Sequence, residues 1–206
     1  EIGACDWSSD VCSSDLELYD AGALSPVVVA AVHAHDRMQE YGTQLMPDYR
    51  GRGAKAGLYA KFVIRELLPL LRRDFPIRKQ SPQNGTAGFS LSGLAAFDLA
   101  WHYPRHFGLA GVFSGSLWWR SSLSLPHDPD MGRLVHRYVA RGEHRPHQRF
   151  WFQAGTLDEK EDRNHNGIID AIDDTLDLLA ILRKQGFSKE QIRYVEVEKG
   201  RHHPRT

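Results

Sequence analysis

Residues 84–94 read NGTAGFSLSGL, and this stretch decides the fold. A short strand runs into a sharp turn at Ser90 and then into a helix. The order of strand, turn and helix, with Gly88 two residues before the serine, is typical of a nucleophile elbow, in which the flanking residues must be small. Ser92 stands where a second glycine is usual, and Gly93 follows it. The alternative interpretation is an ordinary Gly/Ser loop that enters a helix.

Outward from this stretch, segments with strand and helix character alternate along the chain. Strands separated by helices pair in parallel, and we predict an α/β fold whose mostly parallel sheet has helices on both faces. One domain is expected over residues 17–206, with an insertion near 121–147 and with truncation at both ends. Pro69 should kink or shorten a helix over residues 58–71. The predicted strands are residues 27–32, 86–89, 109–113, 150–153 and 192–197, and two further helices are residues 94–102 and 176–185.

Two candidate partners for Ser90 lie in turns that follow later strands. Asp158 comes after the fourth predicted strand, and His202 comes after the fifth. The chain order of serine, acid and histidine is the one found where an elbow serine is activated by an imidazole that a carboxylate orients. Glu159 and His203 are the neighbouring rivals for the two partner positions.

The turn at Ser90 also predicts where an oxyanion would bind. Leu91 begins the helix, and the first amides of a helix have no partner within it, so they can donate to a developing negative charge. A second donor is expected from the loop after the first predicted strand, near residues 33–35, and His35 is the candidate.

Several short motifs together resemble a known family. In chain order they are RMQEY at 37–41, ELLP at 66–69, the elbow, FGLAGVFSGSLW at 107–118, GTLD at 155–158 and GRH at 200–202. In this order they resemble the esterase family of α/β hydrolases, which includes enterochelin esterases, esterase D, and feruloyl and acetyl-xylan esterases. The resemblance covers about residues 25–206.

The resemblance implies an α/β-hydrolase fold and a serine esterase. Ser90 would be the nucleophile, Asp158 the orienting acid and His202 the general base, and Trp118 would line the substrate pocket. The substrate would be a small-molecule or carbohydrate-linked ester, catalysis would need no cofactor, and the protein would be periplasmic or secreted. The alternatives are a serine peptidase or acyltransferase on the same fold, or a non-catalytic binding module of this fold with a calcium loop.

A second motif follows the candidate acid. Residues 162–173 read DRNHNGIIDAID, in which oxygen-bearing side chains recur at the spacing of an EF-hand loop and glycine stands at the sixth position. The loop resembles the dockerin-type variant, and a bound calcium ion would have a structural role. A turn that simply leads into the next helix is the alternative. The predicted ligands are Asp162, Asn164, Asn166, the carbonyl of Ile168, Asp170 and Asp173.

Composition excludes two broad classes. The 206 residues include 26 basic and 26 acidic side chains, which is not the charge of a nucleic-acid-binding domain. No run of about 20 apolar residues is present, so we predict no membrane span. Both cysteines lie in residues 1–16, a segment that resembles a translated sequencing adapter. We therefore expect residues 1–16 to be a non-native or disordered leader.

Overall fold

The computed structural model describes residues 17–204 except 19, 24, 26, 124 and 126, so the predicted leader lies outside the described residues. The chain divides into two compact units, Glu1–Ala34 and His35–Thr206. In the described part of the first unit, residues 27–32 form no strand, and Val29 is 65% exposed. The strand predicted there is therefore wrong. A continuous apolar run shows that a segment favours burial, but it does not supply the neighbours that would bury it.

The second unit is built on four parallel strands that follow one another across the sheet in chain order. In the register of the sheet, Phe89 lies beside Phe113 and Phe113 lies beside Gln153, so the carboxyl ends of the strands meet at one edge. The strands are β1 (Gly85–Phe89), β2 (Leu109–Phe113), β3 (Arg149–Leu157) and β4 (Ile192–Arg201). The predicted α/β class with a parallel sheet is confirmed.

Helices precede the sheet and connect its strands. Their bounds are α1 (Arg37–Glu40), α2 (Ala56–Phe62), α3 (Leu68–Asp74), α4 (Leu91–His102), α5 (Leu134–Ala140) and α6 (Asp170–Lys184). A single 3₁₀ turn, Ser81–Gln83, leads into β1. Among the described residues, none of these helices is both long enough and apolar enough to cross a bilayer.

The helix is irregular between α2 and α3, just before Pro69, the second residue of α3. Residues Val63–Leu67 form a wide turn, in which the amide of Leu68 donates to the carbonyl of Val63 five residues earlier. Because proline has no N–H, it cannot donate to the carbonyl of Arg65 in a regular helix. The wider turn carries the chain past this missing bond without ending the helical path.

The core of the second unit lies against one face of the sheet. Alternate residues of β3 are buried, and the Phe97 ring of α4 contacts the rings of Phe150 and Phe152 at centroid distances of 5.3 and 5.8 Å. Phe187, which follows α6, contacts Phe150 from a further side at 5.6 Å. Trp151 points to the opposite face and is 41% exposed. The aromatic side chains thereby fix the helices against β3, and they leave the carboxyl edge of the sheet to the loops.

Candidate active site

The elbow is set by steric contacts between backbone atoms. Ser90 joins β1 to α4 with a φ of +60° and a ψ of −122°, a conformation that non-glycine residues seldom adopt. A Cβ atom on Gly88 would lie 2.3 Å from the carbonyl oxygen of Ser92, and one on Gly93 would lie 2.8 Å from the carbonyl oxygen of Gly88. Only glycine fits at these two positions, which explains the sequence pattern on which the elbow was predicted.

Ser92 strengthens the turn at the position where it departs from the usual glycine. Its hydroxyl donates to the carbonyl of Phe89 at 2.7 Å and accepts the amide of the same residue at 3.0 Å. Both bonds lie within the elbow. The hydroxyl therefore bonds to both backbone groups of Phe89, the last residue of β1.

The three residues predicted from chain order meet at the carboxyl edge of the sheet. Ser90 follows β1, Asp158 follows β3 and His202 follows β4. The His202 imidazole lies between the other two side chains, with Nε2 3.0 Å from the Ser90 hydroxyl and Nδ1 2.9 Å from Asp158 Oδ1. A carboxylate can only accept a hydrogen bond, so this arrangement favours a proton on Nδ1 and a lone pair on Nε2.

Burial differs sharply among the three side chains. The Asp158 side chain has no exposed surface, whereas that of His202 is 46% exposed. The centroid of the Phe89 ring lies 4.6 Å from that of the imidazole, a contact that no sequence pattern predicts. The carboxylate is thus protected from water, and the histidine keeps an open side toward solvent.

The neighbouring rivals do not replace these partners. It is His202 whose ring contacts both Ser90 and Asp158, and it is Asp158 that accepts its Nδ1–H. Glu159 is half-buried beside the first turn of α6, and burial raises the pKa of its carboxyl group to about 7, with a further rise from the charge of Asp170. The adjacent acids therefore have different environments.

The two predicted oxyanion donors differ in burial and in their place in the fold. Leu91 is buried at the first position of α4, directly after Ser90, where its amide belongs to the helix end. His35 is exposed and precedes Asp36, the residue that caps α1. Its part in an oxyanion hole stays a prediction.

Trp118 lies near the elbow, and Trp119 belongs to the core. The amide of Ser116 donates to the Ser90 carbonyl at 3.1 Å, which places the following residues beside the turn. Trp119 is fully buried, while Trp118 is partly exposed with the Arg52 guanidinium 5.0 Å from its ring centroid. A substrate contact for Trp118 stays a prediction.

The residues of the predicted calcium loop form one turn whose oxygens have partners within the protein. The Asp162 carboxylate accepts the amides of Asn166 and Gly167 at 3.1 and 2.9 Å. The side-chain amides of Asn164 and Asn166 donate to Asp173 at 2.9 and 3.3 Å. Gly167 has a φ of +85°, the left-handed turn expected at the sixth position.

The positive charge in this turn is the guanidinium of Arg163. It pairs with Asp170 at 2.9 Å, with Asp130 at 2.9 Å and with Asp174 at 3.1 Å, and the amide of Ile168 donates within the loop. No group of three or more His, Cys, Asp or Glu side chains that could hold a metal ion is found in the part of the chain described. The expected structural calcium is not supported: two of its predicted ligands, Asp170 and Asp173, are paired with the Arg163 guanidinium at 2.9 and 3.3 Å.

Comparison with known proteins identifies a family and similar solved structures. The sequence model of the family described as "Putative esterase" matches residues 13–203. The chain is 23% identical over 127 residues to Uncharacterized protein YbbA of Bacillus subtilis, covering 58% of this chain and 51% of that protein. Its structure resembles the enterobactin esterase of Shigella flexneri with a TM-score of 0.54 and 26% identity, covering 70% of this chain and 33% of that one.

A second solved structure shows the same fold over nearly the whole chain. Enterochelin esterase from Shigella flexneri matches with a TM-score of 0.67 and 22% identity, and the match covers 97% of this chain and 44% of that one. The chain thus spans about half the length, or less, of these relatives. The family match covers most of the sequence and the α/β-hydrolase-like fold agrees with it, so the chain belongs to this esterase family.

Proposed function

We propose that this protein hydrolyses carboxylic esters through Ser90, His202 and Asp158. The observation that carries the proposal is the position of the His202 imidazole, 3.0 Å from the Ser90 hydroxyl and 2.9 Å from the Asp158 carboxylate. A serine hydroxyl is a weak nucleophile until an adjacent base takes its proton. The imidazole is within hydrogen-bond reach of that proton, and the buried carboxylate keeps the base in the required tautomer.

The reaction would proceed in two acyl-transfer steps. His202 Nε2 takes the Ser90 proton as the hydroxyl oxygen attacks the ester carbonyl, and the same imidazole returns the proton to the departing alcohol. An acyl-enzyme remains on Ser90. Water then attacks it with His202 again acting as base, which releases the acid and restores the hydroxyl.

The negative oxygen of each tetrahedral intermediate would lie at the N-terminus of α4. The amide of Leu91 is the first donor, and the helix end favours negative charge there. The second donor is proposed from the loop near His35.

Substrates are proposed from the relatives and from the residues around the elbow. One solved relative is an enterobactin esterase whose structure was determined in the presence of 2,3-dihydroxy-N-benzoyl-serine, so esters of N-benzoyl amino acids are reasonable first substrates. The partly exposed ring of Trp118 offers a surface on which an aromatic acyl group or a sugar could stack. The periplasmic or secreted location implied by the resemblance remains a prediction.

Replacing the nucleophile tests the proposal directly. We expect Ser90→Ala to lower ester turnover by on the order of 10⁴-fold or more, because the covalent step is lost. The far-UV circular dichroism spectrum and the melting temperature should stay close to those of the wild type. A matched control is Ser121→Ala, which removes a hydroxyl from the connection between β2 and α5 and should retain activity.

A fluorophosphonate probe separates the alternatives. An activated serine should be labelled, and mass spectrometry should locate the label on Ser90. Absence of labelling in the folded wild type would favour the non-catalytic binding module. Product analysis distinguishes hydrolysis, which releases the free acid, from acyl transfer to another acceptor and from peptide cleavage.

A further inference from the structure

The strand that leads to His202 contains an irregularity just before the histidine. β3 and β4 pair regularly up to Gly155 and Val197, and the next pair is Leu157 with Arg201. Between these two pairs β3 advances by two residues and β4 by four, so β4 carries a bulge over residues 198–200. A bulge bends its strand and changes the direction in which the following side chains point. His202 is the first residue after this strand.

Two residues of β3, Gly155 and Thr156, contact the bulge in β4. The backbones approach so closely that a Cβ atom on Gly155 would lie 2.3 Å from the carbonyl oxygen of Gly200. Lys199 has a φ of +59°, which is uncommon for a residue with a side chain. Its amide donates to the Thr156 hydroxyl at 2.7 Å. The hydroxyl therefore takes the place of a backbone acceptor at the point where regular pairing is interrupted.

Thr156 is close to Asp158 in the chain and bonds to a residue close to His202. It precedes Asp158 by two residues, and the amide that it holds precedes His202 by three. We propose that Thr156 is a positioning residue for His202: its hydroxyl fixes the bulge at Lys199 and so sets the direction from which the imidazole approaches Ser90. The inference rests on the proposed function for its catalytic consequence, and Thr156 itself acts only through the backbone of Lys199.

An isosteric substitution tests this role. Thr156→Val keeps the shape of the side chain and removes the acceptor, so we expect kcat to fall on the order of tenfold with KM within about twofold, because a small misplacement of a catalytic group is costly. Thr156→Ser keeps the hydroxyl and should restore kcat to within about twofold. The rate of fluorophosphonate labelling should follow kcat in both variants.

The matched control is Thr175→Val. The Thr175 hydroxyl also bonds to the backbone, but as a donor to the Ala171 carbonyl at 2.8 Å within α6, and no part of the proposal uses this bond. This variant should leave kcat unchanged. If Thr156→Val lowers the melting temperature but the folded protein keeps wild-type kcat and labelling rate, Thr156 is only structural and the proposal is overturned.

A spectroscopic measurement decides the proposal independently of activity. The ring resonances of His202 in ¹⁵N-labelled protein should shift or broaden in Thr156→Val and return in Thr156→Ser. Unchanged resonances in Thr156→Val would overturn the positioning role even if activity fell. If wild-type protein neither hydrolyses esters nor reacts with the probe, the proposed function fails, while the resonances still show whether Thr156 positions the imidazole.

Discussion

The elbow and the segment between β3 and α6, here called the acid loop (residues 158–169), position two members of the same candidate triad by different physical means. At the elbow, Gly88 and Gly93 are required because neighbouring backbone atoms leave no room for a side chain. In the acid loop, Arg163 holds the chain through ion pairs to Asp130, which precedes α5, and to two carboxylates of α6. Steric exclusion is insensitive to salt and pH, whereas ion pairs depend on both. The two regions should therefore lose their structure under different conditions.

The largest effect should come from adding one methyl group to the elbow. Gly88→Ala would place a Cβ atom 2.3 Å from a backbone oxygen, and we expect a loss of about 3 kcal/mol in the free energy of unfolding together with loss of ester hydrolysis. Gly167→Ala is the counterpart in the acid loop: the space around its Cβ is open and only the φ of +85° is unfavourable. Its cost should be about 1 kcal/mol. Equal costs in urea denaturation would contradict the steric account of the elbow.

Removing the arginine of the acid loop should have the next largest effect. Arg163→Met leaves Asp174, which is 1% exposed, with fewer positive partners, and we expect a loss of about 2–3 kcal/mol. Ions screen mainly the pair with the half-exposed Asp130, whereas the pair with the buried Asp174 is screened much less. The difference in stability between wild type and variant should therefore narrow only slightly between about 0.1 and 1 M salt. The control is Arg73→Met, which breaks an exposed pair with Asp74 and should leave stability nearly unchanged. A loss as small as that of the control would contradict an ionic role for Arg163.

The smallest effect concerns pH. Burial raises the pKa of Glu159 from 4.5 to about 7 in the folded protein, so the folded state binds this proton more tightly than the unfolded state. Stability should therefore decrease as pH rises from about 4.5 to about 7, and stay at the lower value above that. Glu159→Gln should melt at a higher temperature than the wild type at pH 8 and at the same temperature at pH 4. Glu190→Gln, at an exposed acid whose pKa is lowered by the Ser188 side chain, should not raise the melting temperature at pH 8.

Sequence patterns predicted the elbow well because its requirements are local. Gly88, Ser90 and Gly93 lie within six residues, and the constraint on each comes from its chain neighbours. The strand over residues 109–113 matches β2, whereas β3 continues to Leu157, four residues beyond the predicted end. Apolar character stops at Gln153, but backbone pairing with β4 does not. The hydrophobic pattern of one strand does not show how far that strand pairs with another that is distant in sequence.

The missed features are long-range contacts. The Phe89 ring beside His202 and the Thr156 hydroxyl beneath Lys199 each join residues more than 40 positions apart. The calcium motif lacks support for a related reason. Its spacing describes a backbone turn and a set of oxygens, while the second position is unconstrained, and here that position holds Arg163, whose guanidinium supplies the positive charge.

β2 contributes no side chain to the candidate triad, yet it lies between the strand that leads to Ser90 and the strand that leads to Asp158. Adjacent strands are about 4.8 Å apart, so β2 separates β1 from β3 by about 10 Å. Tolerance to insertions should differ accordingly along this part of the chain. Extra residues at the exposed Leu123, in the connection between β2 and α5, would leave the separation intact. A single residue inserted within β2 would turn its side chains to the opposite face and disturb the pairing on both sides.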